Sequence, residues 1–283
     1  MTSLDSTRTL DRSLVHRWSV AEVFVTALRC EGQDRVEAVA QWPRHHAYFD
    51  TGDGNYCILL GAETFRQTAI AALHTMGVAS AVDHFVMKQM RVRWVTAPQL
   101  VGVRPFDLGV TLSLTPAVRP GRFDLEVSMA TAEGTVVSGS GTVIVLRPQV
   151  FEALRAGRVR PVGRMDGPPD IDCRAVGRTR ARDVVLVAQG EHRWELRVDT
   201  THATLFDHPS DHLPGMLLFE AARQAALLTS DGRQVVSIGA HFGSYLEVDE
   251  PTLVELVPQA DHLSVTVRQA DLVGATFQVV VGP

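Results

Sequence analysis

The chain has almost no lysine: Lys88 is the single one in 283 residues, and arginine carries the rest of the positive charge. That bias fits codon usage in a GC-rich genome. Positive charge is not in excess either. A net charge of −5 argues against broad nucleic-acid binding, which usually needs a basic face. No apolar run approaches the roughly 18–20 residues that a membrane span requires. The first dozen residues are polar and lack the hydrophobic stretch of a secretory signal. Cysteine is scarce: Cys30, Cys57 and Cys173 have no C-x-x-C or other ligand spacing. They read as free thiols of a reducing cytoplasm, and no metal site is expected.

What the chain does have is itself, twice. Glu63-x-x-Arg66-Gln67 recurs as Glu220-x-x-Arg223-Gln224, His84-Phe85 as His241-Phe242, and Phe49-Asp50 as Phe206-Asp207, while His45 falls on His202. The offset is 157 residues throughout, far longer than a solenoid repeat, so the duplicated unit is a whole small domain.

The pattern inside each half is similar. In the first, valine-rich strand candidates cover 20–27 and 36–42, the latter alternating Val36, Ala38, Ala40 and Trp42 against polar neighbours. An irregular stretch holding His45 and His46 follows. A helix is predicted over 60–75, where Ala62, Phe65, Ala69 and Leu73 recur at steps of three and four. Four apolar runs near 84–95, 100–114, 122–131 and 135–146 then read as an antiparallel meander. In the second half, strand candidates at 183–188 and 194–198 precede a loop over 201–214 and a helix over 215–228. Runs near 235–248, 252–257, 262–269 and 275–281 complete it.

One apolar helix followed by a strand meander implies a helix laid across an antiparallel sheet. The predicted class is α+β, a tandem double hotdog in which each half is a long helix wrapped by a sheet. Two such halves in one chain can mimic a homodimer, so a pseudo-dimeric monomer or a homodimer is expected. The expected boundaries are a tail at 1–13, a first domain at 14–147, a linker at 148–170 and a second domain at 171–283.

The segment Pro214-Gly215-Met216, leading into Glu220-Ala221 and Gln224, resembles the central-helix motif of β-hydroxyacyl-ACP dehydratases. A longer series is more telling: Val15-His16-Arg17, Ser19-Val20-Ala21-Glu22-Val23-Phe24, Ala40-Gln41-Trp42-Pro43-Arg44, Glu63-Thr64, Arg66-Gln67, Asp207-His208-Pro209, Asp211-His212 and Pro214-Gly215-Met216. In this order they resemble the A-factor biosynthesis hotdog family, the γ-butyrolactone autoregulator synthases of streptomycetes. The resemblance implies transfer of a β-ketoacyl group from an acyl carrier protein to the hydroxyl of dihydroxyacetone phosphate. It also implies no organic cofactor beyond the acyl-phosphopantetheine arm delivered by that partner.

The residues can be read beside that proposal. Acyl transfer needs a base, oxyanion donors and a pocket. The amides of Gly215, Met216 and Leu217 lie at a predicted helix N-terminus, and Gly215 permits close approach. The plain alternative is an ordinary helix start. Glu220, with Arg223 and Gln224 on its face, reads as a general base or the orienter of one, or else as a simple ion pair. Glu63, Arg66 and Gln67 repeat the pattern, but Cys57-Ile58-Leu59 replaces Pro-Gly-Met. His208 and His212, with Asp207 and Asp211, are candidate bases or substrate contacts, or else loop-stabilising pairs or a structural metal site without a further ligand cluster. His45 and His46 are weaker candidates of the same kind. His84 and His241 read as core histidines opening the strand after each helix. Arg223, Arg66 and Arg44 are candidates for the phosphate. Eight arginines between 155 and 182 form either a docking patch for an acidic carrier protein or a solvated linker.

Where a dehydratase has its catalytic histidine, eight residues before the proline, this chain has Phe206. That departure argues against dehydration. The rivals are a hotdog dehydratase or thioesterase acting on acyl thioesters, and a non-catalytic lipid-binding module.

Overall fold

The computed structural model describes residues 7–158, 161, 163–230 and 233–282. It divides into two compact units, one of Met1–His46 and Leu60–Ala156, the other of Ala47–Leu59 and Gly157–Pro283.

The first unit holds β1 (Val25–Glu31), β2 (Arg35–Trp42), most of α1 (Ile58–Thr75), β3 (His84–Trp94), β4 (Phe106–Pro116), β5 (Arg122–Thr131), β6 (Gly134–Leu146) and α2 (Pro148–Leu154). Its strands are all antiparallel, in the order β1-β2-β4-β5-β6-β3. The second unit holds β7 (Leu186–Gly190), β8 (Arg193–Leu196), α3 (Gly215–Thr229), β9 (Gln234–Phe242), β10 (Leu253–Pro258), β11 (Leu263–Gln269) and β12 (Leu272–Gly282). Its order, β7-β8-β10-β11-β12-β9, is the same topology again. The expected helix-on-antiparallel-sheet arrangement is present in both.

Burial explains why the helices form. α1 puts Ala62, Phe65, Ala69 and Leu73 out of solvent, and Trp42 of β2 donates its indole N–H to Thr64 Oγ1 at 2.8 Å. Phe65 reaches β6 where glycine leaves room: a Cβ on Gly141 would stand 3.3 Å from the Phe65 ring. The helix stops at Gly77, whose φ of +70° suits a residue without a side chain, and the amide of Val78 returns to Leu73 O at 3.0 Å. In α3, Phe219 packs edge-on to Phe277 of β12, ring centres 5.3 Å apart. Ala221, Ala222, Ala225 and Ala226 let the sheet close around the rest. Among the described residues no helix is long and apolar enough to cross a membrane.

Several boundaries differ from expectation. Residues 20–22 form a 3-10 turn and β1 begins only at Val25, because Phe24 N is held by the Gln67 side chain. His84 does open β3, but it is half-buried and stacks on Phe151 with ring centres 3.8 Å apart. His241 lies at the end of β9 and is exposed. Neither is a core histidine, and their shared offset does not reflect a shared place in the fold.

Candidate active site

Two buried quartets dominate the centres of the units. In the second, Glu220 is fully buried. Its Oε1 accepts from Arg178 Nε at 2.8 Å, Arg223 Nη2 at 2.8 Å and Gln224 Nε2 at 2.6 Å. Its Oε2 accepts from Arg178 Nη2 at 2.6 Å and Arg223 Nε at 2.8 Å. Burial alone would raise the carboxyl, but the two guanidinium groups outweigh it and hold it at about 2. Arg178 also lies over the Tyr48 ring, 4.2 Å from its centre, and donates to Tyr48 O. Burial and the Glu220 charge push the Tyr48 hydroxyl well up.

The first unit repeats this with Glu63, which accepts from Arg17, Arg66 and Gln67 at 2.7–3.0 Å. Burial again opposes ionisation, and Arg17 and Arg66 again bring the carboxyl to about 2. The glutamines do the same work in both. Gln67 joins Phe24 N and Glu22 O; Gln224 joins Val185 N and Asp183 O.

The quartets bear on the sequence reading. A carboxylate held at about 2 by two guanidinium groups is a poor proton acceptor, so this geometry supports a scaffold role for Glu220 and Glu63 over the base role read from the sequence. Arg223, Gln224, Arg66 and Gln67 are engaged with these carboxylates and nearby carbonyls, which ties them into the fold. The arginine stretch is divided: Arg158, Arg174, Arg180 and Arg182 are exposed and the others are not, among the described residues. Arg178 and Arg155 are buried, and Arg164, Arg180 and Arg182 pair with Asp166, Asp183 and Asp199. Arg160 lies outside the described residues. Arg44 is exposed and donates to Gly102 O.

The partners Arg17 and Arg178 were missed as a pair because they sit on a second repeat with its own offset. Asp11, Val15, Arg17, Glu22 and Val23 recur as Asp172, Val176, Arg178, Asp183 and Val184, 161 residues on. Each Asp caps a 3-10 turn, which ends in a left-handed residue, His16 or Gly177, just before the arginine. The acids at this offset each meet a histidine: His46 Nε2 is 3.4 Å from Glu22 and His202 Nε2 is 3.0 Å from Asp183. The structural counterpart of His202 is therefore His46; His45 is exposed. His202 Nδ1 accepts from Thr204 N and Leu205 N, so its proton sits on Nε2.

Chemistry is better placed at the start of α3. Pro214 precedes it without any side-chain cap, Gly215 is exposed and Met216 half-buried. Pro214 has no N–H, and Leu217 N and Leu218 N donate to Pro214 O at 3.0 and 3.3 Å, which leaves the Gly215 and Met216 amides without a helical partner at the positive end of the dipole. Three residues before Gly215, His212 Nδ1 lies 2.7 Å from Asp211 Oδ1. The carboxylate can only accept, so Nδ1 carries the proton and Nε2 keeps its lone pair. Asp211 is buried while His212 is 31% exposed. Tyr245 sets its ring edge-on to the imidazole, 4.8 Å between centres. His208 points its pairing with Asp207 toward solvent, 3.4 Å apart and 46% exposed. Phe206, at the dehydratase histidine's position, is buried. Among the described residues no group of three or more metal-ligating side chains is brought together.

Comparison with known proteins agrees with this frame. The family model described as the A-factor biosynthesis hotdog domain matches residues 2–146 and 164–280. A 2-oxo-3-(phosphooxy)propyl 3-oxoalkanoate synthase of Streptomyces virginiae is 36% identical over 265 residues, 90% of each chain. One of Streptomyces coelicolor is 33% identical, covering 95% of this chain and 86% of its own. Among solved structures, the 12:0-ACP thioesterase of Umbellularia californica superposes with a TM-score of 0.56 at 7% identity, over 90% of this chain and 99% of that one. A trans-AT PKS dehydratase domain of Brevibacillus brevis gives 0.53 at 13% identity, over 92% and 98%. At such identities these two share the hotdog fold alone.

Proposed function

The chain belongs to the A-factor biosynthesis hotdog family, and from that premise we propose that it acylates dihydroxyacetone phosphate with a β-ketoacyl group taken from a thioester. The relatives' name describes that product: a 3-oxoalkanoate esterified to a 2-oxo-3-(phosphooxy)propyl group, which is dihydroxyacetone phosphate joined through its free hydroxyl oxygen. Such an ester holds an acidic methylene within reach of a ketone, and their condensation closes a five-membered butenolide, the skeleton of the γ-butyrolactone signals. Delivery of the acyl group by an acyl carrier protein, on its own phosphopantetheine arm, and a cytoplasmic setting are parts of the same proposal.

The observation that carries it is the Asp211–His212 pair placed directly before an uncapped, exposed helix start. His212 Nε2 takes the hydroxyl proton of the acceptor while Asp211 holds the ring and offsets the charge that forms on it. The alkoxide oxygen bonds to the thioester carbonyl carbon, and the negative charge moves to the carbonyl oxygen. Amides at the start of α3 receive that charge. Collapse breaks the C–S bond, and His212 returns the proton to the departing thiolate. Glu220 stays ionised and buried throughout, holding α3 in place.

The test is a purified-protein assay with a β-ketoacyl thioester, with and without dihydroxyacetone phosphate. Thiol release should require the acceptor and should yield the phosphorylated ester by mass spectrometry. Release at the same rate without acceptor would make the protein a hydrolase instead.

A further inference from the structure

The base reading leaves one question open: what holds a half-exposed imidazole in one orientation. Resting on that reading, we infer that residues 243–246 form a seat for His212, with Tyr245 and Gly274 as its positioning residues. The Tyr245 ring stands edge-on to the imidazole at 71°. The next residue, Leu246, accepts at its carbonyl from Leu213 N at 2.9 Å, so the loop is tied to the residue that follows His212. The loop is pinned at both ends. Gly243 N donates to Gly274 O at 2.8 Å, and Gln269 holds Glu247 through both N–H and carbonyl, at 2.9 and 2.7 Å.

Gly274 is what lets the loop sit this low. A Cβ there would lie 2.2 Å from Leu246 Cγ and 2.5 Å from both of its methyl carbons, and Leu246 is buried. The Leu246 side chain therefore lies on the bare Cα of β12. Any side chain at 274 lifts Leu246, and with it the carbonyl bound to Leu213 and the ring beside His212. Asp211 fixes which nitrogen carries the proton; the seat fixes where the other nitrogen stands. A displacement near 1 Å at a reacting group costs up to about 100-fold in rate.

The experiment compares kcat and KM for Gly274→Ala, Gly274→Ala with Leu246→Ala, Tyr245→Phe and Tyr245→Ala, each checked for folding by circular dichroism, beside His212→Ala. The seat predicts that Gly274→Ala and Tyr245→Ala lower kcat about 10- to 100-fold with KM little changed. It also predicts that trimming Leu246 restores much of the loss in the double variant, and that Tyr245→Phe, which keeps the ring, retains turnover. Should Gly274→Ala fail to fold, the Tyr245 pair decides. Parent-like kcat in Gly274→Ala and Tyr245→Ala, with His212→Ala inactive, removes the seat and leaves the base. Equal losses in Tyr245→Phe and Tyr245→Ala also remove it. An active His212→Ala removes both.

Discussion

At the start of α1, Cys57, Ile58 and Leu59 are all buried; at the start of α3, Gly215 is exposed and Met216 half-buried. One turn further along, the two helices carry the same glutamate, arginine and glutamine, each glutamate gripped by a second arginine from the arm before the first strand. What the halves share is scaffold, and what they do not share is where chemistry can occur. A side chain present in both quartets has a role that does not need substrate. Among the described residues the Asp211–His212 pair and the open helix end occur in the second half alone, which is why the proposal puts the reaction there.

That comparison can be broken in four ways. The largest expected effect is on turnover. His212→Ala should lower kcat by about 10²–10⁴, the usual worth of a general base. His45→Ala, on the equivalent loop of the first half, should leave it near the parent's; steady-state assays of both variants decide. Next comes stability. Glu220→Ala strands Arg178 and Arg223, whose side chains are 0% and 4% exposed, and should cost about 3–5 kcal/mol in urea unfolding. Glu63→Ala should cost less, because Arg66 is already 21% exposed and can take up water.

Acid should act on both halves together. Each glutamate falls from an ordinary value of 4.5 to about 2 on folding. A depressed carboxyl contributes stability above its unfolded value and loses it as pH falls toward the folded one. Unfolding stability should therefore fall between pH 4.5 and 2, by about 3 kcal/mol for each carboxylate, and melting temperature should fall with it. A Glu220→Gln protein should show a shallower fall over that window. The smallest effect tests a difference inside the scaffold. Where α1 has Thr64 accepting from Trp42, α3 has Ala221. Thr64→Ala strands a buried indole N–H and should cost about 1–3 kcal/mol by thermal melting.

The fold was legible because burial imposes period: helix steps at Ala62, Phe65 and Ala69, alternation in β2, and one spacing around both glutamates. The quartets were half legible. Glu, Arg and Gln share a helix face by spacing alone, but the second arginine comes from 42 or more residues away, and its repeat runs at another offset. A single fixed offset also misled. It paired His45 with His202 and His84 with His241, because the loop before the helix and the turn after it differ in length between the halves. Charge state was not legible at all. A buried carboxylate looks functional until its partners are counted, and only the fold supplies five donors to one side chain. Tyr245 and Gly274 carried no pattern, since they matter only through what a loop rests on.

One detail of chain routing has a practical reach. Residues Ala47–Leu59 travel with the second unit although they lie in the first half of the sequence, and Tyr48 among them covers Arg178 with its ring and carbonyl. A protein fragment beginning at 157 would keep the Arg178–Glu220 pair but lose the ring and carbonyl that cover it. A single cut between the repeats therefore separates the second unit from a segment that packs within it.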